Sequence, residues 1–162
     1  MRAQANAVLI PYGYGPIFRQ GGLKGYSMAE LITRINRLVL LADDNDEMSL
    51  VIEAMLDMMA FEVDRARNGQ EALEMCDATA YALILMDIEM PVMDGLAATK
   101  AIRRQESAAL TPPVPIVGIT GHTDPGTRHL CQLAGMNDVL SKPFLMEHLE
   151  NKLTTLCVMR MN

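Results

Sequence analysis

The chain has 162 residues, enough for one domain of ordinary size plus an extension, with a core large enough to fold alone. Half of the residues (50%) are hydrophobic and 21% are charged, the composition of a soluble globular protein, and no apolar run approaches the roughly 18 residues of a membrane span. The net charge of −6 disfavours a general nucleic-acid surface, so neither nucleic acid nor membrane is expected as a direct partner.

Residues 1–36 read as a leader or linker, because Gly, Tyr and Pro are mixed there without sustained periodicity, as in Pro11-Tyr-Gly-Tyr-Gly-Pro16. The apolar run Ala7-Val-Leu-Ile10 is cut by Pro11 and lacks a cleavage site, so a secretory signal is not expected. Ser27 and Glu30 have the spacing of a capping box before Leu31, Ile32 and Ile35, which predicts a short helix over 27–37. Cys76, Cys131 and Cys157 are widely spaced with no CxxC pair. They read as core or helix-face residues rather than as a zinc site or disulfide framework, and a reducing cytoplasm is the natural compartment. The 14 methionines read as fillers of core gaps.

From Leu38 onward short apolar runs alternate with amphipathic segments, the pattern of strand-helix units around a parallel sheet. The first strand is expected over 38–43, followed by a helix whose Met48, Val51, Ile52, Met55 and Met59 form a sheet-facing stripe. The second strand covers Glu62–Ala66, and Asn68 with Glu71 caps a helix that runs to about Asp77. The third strand is Leu83–Asp87. Asp94-Gly95 reads as a turn and helix start, the helix covers about 96–106, and Pro112-Pro113 marks a loop. The fourth strand is Pro115–Thr120, after which Asp124 and Pro125 open a helix and Gly135 lies just past its end. The fifth strand is Asp138–Ser141, and the last helix starts near Leu145 with Leu149, Leu153 and Leu156 on one face. His129 and His148 fall on helices as surface or packing residues. The expected fold is α/β, a flavodoxin-like doubly wound five-stranded parallel sheet of order 2-1-3-4-5 with helices on both faces.

Four of these strands end in reactive groups: Asp43-Asp44, Asp87, Thr120 and Lys142. Open α/β sheets bind ligands beyond the carboxyl ends of their strands, and the order 2-1-3-4-5 puts the first and third strands side by side. Three carboxylates gathered there repel, each contact costing about 4 kcal/mol at ~4 Å and an effective dielectric near 20 before screening. Such a cluster takes up a proton or a cation. Mg²⁺ suits it, since that ion binds through one or two carboxylates and is often completed by phosphate oxygens. The absence of His and Cys beside these acids argues against zinc, and Asp43-Asp-Asn-Asp-Glu47 lacks the spacing of a Ca²⁺ loop.

Taken together, Asp43-Asp44, Met86-Asp-Ile-Glu-Met-Pro-Val-Met-Asp-Gly95, Ile119-Thr120 and Ser141-Lys-Pro143 give residues 38–158 a clear family likeness. They resemble the receiver domain of two-component response regulators, most of all those of hybrid sensor histidine kinases, which implies a receiver domain over 37–160. The resemblance implies that Asp87 is the phosphoacceptor and that Mg²⁺ is held by Asp43, Asp44, Asp87 and the backbone carbonyl of Glu89. Thr120 and Lys142 would then hold the phosphoryl oxygens, and the Lys142-Pro143 bond would be cis. The implied partner is a histidine kinase or histidine phosphotransfer domain, a homodimer is compatible with it, and the domain is not an enzyme in the turnover sense. With a linker-like leader before it and no DNA-binding segment after residue 160, a receiver cut from a hybrid kinase is preferred to a free-standing regulator.

Two positions depart from the family pattern. Val139 replaces the usual aromatic three residues before the lysine, which argues against an aromatic rotamer switch. Met48 stands where hybrid-kinase receivers often have Asn. His122, two residues after Thr120, lies near enough to affect water attack on a phosphoryl group, although a bystander loop histidine is the simpler reading. A phosphorylation-independent interaction module is the alternative function. A flavin or nucleotide-binding protein of the same topology would need a Gly-rich loop after the first strand, which is missing.

Overall fold

Helices on both faces of a sheet require strands that are apolar along their whole length, and the three central strands meet that demand. Strands β1 (Leu38–Ala42), β3 (Leu83–Asp87) and β4 (Ile116–Thr120) are buried almost throughout, whereas β2 (Glu62–Ala66) and β5 (Asp138–Ser141) carry polar residues and form the edges. All pairings are parallel, in the order β2-β1-β3-β4-β5, as expected from the alternation of elements. This computed structural model describes residues 37–122 and 124–159, with side chains through Leu156. The leader and the helix expected over 27–37 lie outside the described residues, except for Arg37, which is in the turn before β1.

Because successive strand side chains point to opposite faces, the sheet divides the core in two. Leu40, Ala42, Ile84 and Met86 pack with Ala72, Ala98, Ile102 and Cys131, from helices α2 (Gly69–Ala78), α3 (Gly95–Ala109) and α4 (Pro125–Ala134). On the other face Val39, Leu41, Leu83 and Leu85 pack with Ile52 and Leu56 of α1 (Asp46–Met58) and with Leu149 and Leu153 of α5 (Met146–Met159). No described helix is long and apolar enough to cross a membrane.

The helices differ from their expected form in instructive ways. In α1 the line facing the sheet is Ser49, Ile52 and Leu56, with Met48, Met55 and Met59 at its margin, while Val51 is 50% exposed. Apolar spacing alone does not set the rotation of a helix; here the small Ser49 is turned inward, its hydroxyl 3.5 Å from the Asp43 carbonyl oxygen. Helix α3 runs on to Ala109 because no breaker stands at 107–109. Leu110, in the left-handed region with φ 54°, then closes it through its N–H to the carbonyls of Glu106 and Ser107. The start and stop of α4 are as read: Asp124 accepts the Thr127 N–H at 3.0 Å, Pro125 follows, and Gly135 has φ 102°. β4 begins at Ile116 because Pro115 has no N–H to give, although its carbonyl accepts from Ile84 at 2.9 Å.

Two structural cysteines behave as inert core groups. Burial, aided by Glu106, pushes the Cys76 thiol up to about 12, and burial also raises the Cys131 thiol. The side chain of Cys157 lies outside the described residues.

The loop after β3 folds back tightly on its own strand. Gly95 N–H donates to the Ile88 carbonyl at 2.9 Å, and a Cβ at position 95 would fall 2.1 Å from the Asp87 carbonyl oxygen. Gly95→Ala is therefore expected to destabilise the protein by about 1–3 kcal/mol, the usual cost of forcing extra atoms into a packed site. Urea unfolding measures it; a midpoint equal to wild type would contradict the close approach.

Candidate functional site

The polar site forms where three neighbouring strands end. β1 continues one residue beyond its regular span, since Asp43 N–H donates to the Ala66 carbonyl at 3.1 Å, and this carries the Asp43 side chain into a fully buried position. Its Oδ1 accepts the Asn45 N–H at 2.8 Å, which turns the chain sharply toward α1. Asn45, not the acidic pair, then caps that helix by accepting the Met48 N–H at 2.8 Å. Asp44 is left exposed at the rim.

Asp87 ends β3 and is 7% exposed. Its Oδ1 accepts the Glu89 N–H at 3.2 Å, and the Ile88 N–H continues the ladder to the Ile119 carbonyl at 3.1 Å. Beyond it a tight turn, closed by Met93 N–H to the Pro91 carbonyl at 2.8 Å, places the exposed Val92 at φ 69°. Asp94 then caps α3, accepting the Ala97 N–H at 2.7 Å, so this aspartate has the turn-and-cap role read from the sequence.

Lys142 ties the strand ends together. Its Nζ donates to Asp43 Oδ2 and to Asp87 Oδ2, both at 3.1 Å, from a side chain that is 21% exposed. Carboxylate oxygens of Asp43, Asp44 and Asp87 all lie within 4.8 Å of one another. Burial raises the Asp87 carboxyl above its ordinary value; Lys142 opposes that shift and the Asp43 charge adds to it. Burial would lower the Lys142 ammonium, but Asp87 and Asp43 outweigh it and hold the group above its usual range. The lysine thus stays charged and offsets part of the repulsion between the two buried acids.

Thr120 ends β4 and is almost fully buried. Its Oγ1 accepts the His122 N–H at 2.9 Å, and its carbonyl accepts the Lys142 N–H at 2.8 Å, joining the ends of β4 and β5. The bond between Lys142 and Pro143 is cis. His122 faces Glu89, with Nε2 to Oε1 at 3.6 Å, but both side chains are over 70% exposed, so the pair contributes little to stability. Val139 is buried within the α2-α3-α4 side of the core and also lines a cavity of about 350 Å³ with Phe144 and His148.

Every strand-end residue singled out in the sequence therefore lies at one end of the sheet, with Asp43, Asp44, Asp87 and Lys142 in direct proximity. Arg65 on β2 escaped sequence reading. Its Nη2 reaches the Asp43 carbonyl oxygen at 3.2 Å and Asp46 Oδ1 at 2.7 Å. An arginine one residue from the end of a polar edge strand looks like an ordinary surface position, and only the β1-β2 pairing brings it to the acidic turn.

Similar proteins carry the same fold. The chain is 38% identical over 120 residues to the CAI-1 autoinducer sensor kinase/phosphatase of Vibrio cholerae, covering 74% of this chain and 17% of that protein. It is 38% identical over 105 residues to the sensor histidine kinase GacS of Pseudomonas protegens, covering 65% of this chain and 12% of that protein. The chain thus spans well under a fifth of either relative. Among solved structures, the receiver domain of a Pseudomonas aeruginosa sensor histidine kinase, with a magnesium ion coordinated in its active site cleft, is 38% identical with a TM-score of 0.68. That match covers 75% of this chain and 97% of the other. A Saccharomyces cerevisiae response regulator receiver domain, crystallised with a histidine phosphotransfer signalling protein, is 30% identical with a TM-score of 0.73, covering 76% and 90%. The family description for the response regulator receiver domain matches residues 39–154, and the chain belongs to that family.

Proposed function

We propose that this receiver domain is a phosphoacceptor: Asp87 takes a phosphoryl group from a phosphohistidine, with Mg²⁺, and the modified domain signals by a conformational change. The donor is a histidine kinase or histidine phosphotransfer domain, a reading supported by the yeast receiver domain that was crystallised with a histidine phosphotransfer signalling protein. The observation that carries this reading is the Lys142 ammonium, 3.1 Å from both Asp43 and Asp87, beside a third carboxylate. A purely structural lysine would need one buried carboxylate; two plus an exposed third leave excess negative charge facing solvent.

The acidic cluster fits a hard divalent cation. Carboxylate oxygens of three acids within 4.8 Å of one another, with no nitrogen or sulfur donor among them, form the all-oxygen donor set that such an ion takes. Asp43, Asp44, Asp87 and the Glu89 carbonyl would hold it. When bound, it neutralises charge on the oxygens of the transferring group. An Asp87 carboxylate oxygen attacks phosphorus, the P–N bond breaks with its electron pair returning to the imidazole, and an acyl phosphate forms. Lys142 exchanges a carboxylate partner for a phosphoryl oxygen. Thr120, whose Oγ1 accepts from the His122 N–H, keeps its hydroxyl proton to donate to another. The added charge of roughly −1.5 to −2 draws both groups inward and biases the β4-β5 end of the sheet. The domain acts in the cytoplasm, and its acyl phosphate is spent in signalling rather than in turnover.

Incubation with Mg²⁺ and acetyl phosphate should add one phosphoryl group by intact mass, lost with Asp87→Asn and with chelation. A phosphoryl group that persists on Asp87→Asn would overturn the assignment, and a partner that binds that variant as tightly as the phosphorylated domain would favour a phosphorylation-independent module.

Stability offers an independent check. A carboxyl with a raised folded-state value binds its proton more tightly folded than unfolded. Its ionised form thus costs stability fully above that value, and the cost disappears as pH falls below 3.8. Without metal at neutral pH, Asp87→Asn is expected to stabilise by about 0.5–2 kcal/mol. Lys142→Met should destabilise by about 3–5 kcal/mol by leaving two buried acids uncompensated. Thermal unfolding reads both, and the opposite signs would refute the charge balance.

A further inference from the structure

The peptide joining Asp43 to Asp44 is gripped from outside the acidic cluster. Its carbonyl oxygen lies 3.2 Å from Arg65 Nη2 and 3.5 Å from Ser49 Oγ, while the Asp43 N–H is fixed to the Ala66 carbonyl at 3.1 Å. The same Nη2 pairs with Asp46 Oδ1 at 2.7 Å, in the first turn of α1. One guanidinium therefore clamps both sides of the turn that carries Asp44 and Asn45. Its Nε is buried without a hydrogen-bond partner among the described residues, so the guanidinium has lost water that the Nη2 contacts must compensate. Arg67, 4.0 Å from Asp46 and 68% exposed, makes no comparable contact among the described residues.

From this geometry we infer that Arg65 is a positioning residue for the cation site: by fixing the Asp43-Asp44 peptide plane it aims the exposed Asp44 carboxylate at the ion. The inference rests on the Mg²⁺ reading of the acidic cluster. Two physical effects of the arginine oppose each other, which makes it testable. As a nearby positive charge Arg65 repels a cation, so its removal would tighten binding. As an outer partner that orients a ligand, its removal weakens binding, by 10–100-fold in metal sites generally.

The test is Mg²⁺ titration by calorimetry of the metal-free wild type and of Arg65→Met, which keeps the apolar stem without the charge or donors. Positioning predicts binding about tenfold weaker and faster amide exchange at residues 44–49 without metal. It also predicts that the Mg²⁺ concentration giving half-maximal phosphorylation by acetyl phosphate rises while the rate at saturating Mg²⁺ is largely kept. Unchanged or tighter binding overturns the inference, even if the melting temperature falls, because a merely structural arginine would lower stability alone. Should Arg65→Met not fold, Arg65→Lys decides by the same criterion: the ammonium keeps the charge but not the planar fork, and weaker binding supports positioning while equal binding overturns it. A wild type that binds no Mg²⁺ would instead overturn the metal reading itself.

Discussion

One ammonium shared between two buried carboxylates sets the requirements for the rest of this domain. Lys142 follows β5, whereas Asp87 ends β3, with β4 between them. Neighbouring strands are about 4.8 Å apart, so the contact spans roughly 10 Å. The flexible lysine stem and the Asp87 side chain reaching toward it bridge that distance only if β4 ends in something short. Thr120 is short, and its carbonyl holds the Lys142 N–H at 2.8 Å, which fixes where the stem departs. The same contact requires β1 beside β3, so that Asp43 and Asp87 present their Oδ2 atoms to one Nζ. Sheet order, strand lengths and side-chain sizes are thus tied to one charge balance.

That balance is incomplete, and the fold bears the cost elsewhere. Burial raises the Asp87 carboxyl despite the lysine, so the ionised acid costs stability that a neutral side chain at this place would not. Val92, a β-branched residue at φ 69°, adds backbone strain of about 1–3 kcal/mol in the adjoining loop. Against this stand two apolar clusters that sandwich the sheet, including Leu40, Leu41, Ile84, Leu85, Ile116 and Ile119, all fully buried. Since large buried side chains each contribute about 1.5–3 kcal/mol relative to exposure, the central strands alone can sustain a destabilised rim. Its own residues leave this site short of positive charge, which is what the proposed binding of a cation would supply.

Much of this was legible in the chain. Central strands announced themselves as apolar runs, and their ends as abrupt changes to acid or hydroxyl, because burial on both faces leaves no other pattern. Asp124, Pro125 and Gly135 marked α4 through local backbone chemistry that needs no tertiary context. The rotation of α1 was legible only in part. Ile52 is buried and Met48, Met55 and Met59 border the same cluster, as read, but Val51 turns outward while Ser49 and Leu56 turn in, which only contact with the sheet decides. Arg65 was hidden for the same reason. Its role depends on a pairing partner, since Leu41 opposite Arg65 in the β1-β2 register brings the side chain beside the turn after β1. Local rules find caps and strand ends; they do not find contacts made by register.

Val139 bears on how a change at Asp87 would travel. It faces Gly118 across the β4-β5 ladder, and its 8% exposure and β-branched side chain leave it few rotamers. A side chain so confined does not swing between a buried and an exposed state as a large ring could. In the proposed cycle, motion of Thr120 and Lys142 toward a phosphoryl group instead acts on strand ends joined backbone to backbone. Behind this strand pair lies Met136, whose sulfur would be 2.6 Å from a Cβ added at Gly118 and whose unbranched thioether is an adaptable packing group. The glycine leaves room for that sulfur directly behind the strand pair, and with Val139 beside it an aromatic flip has no ring to make it.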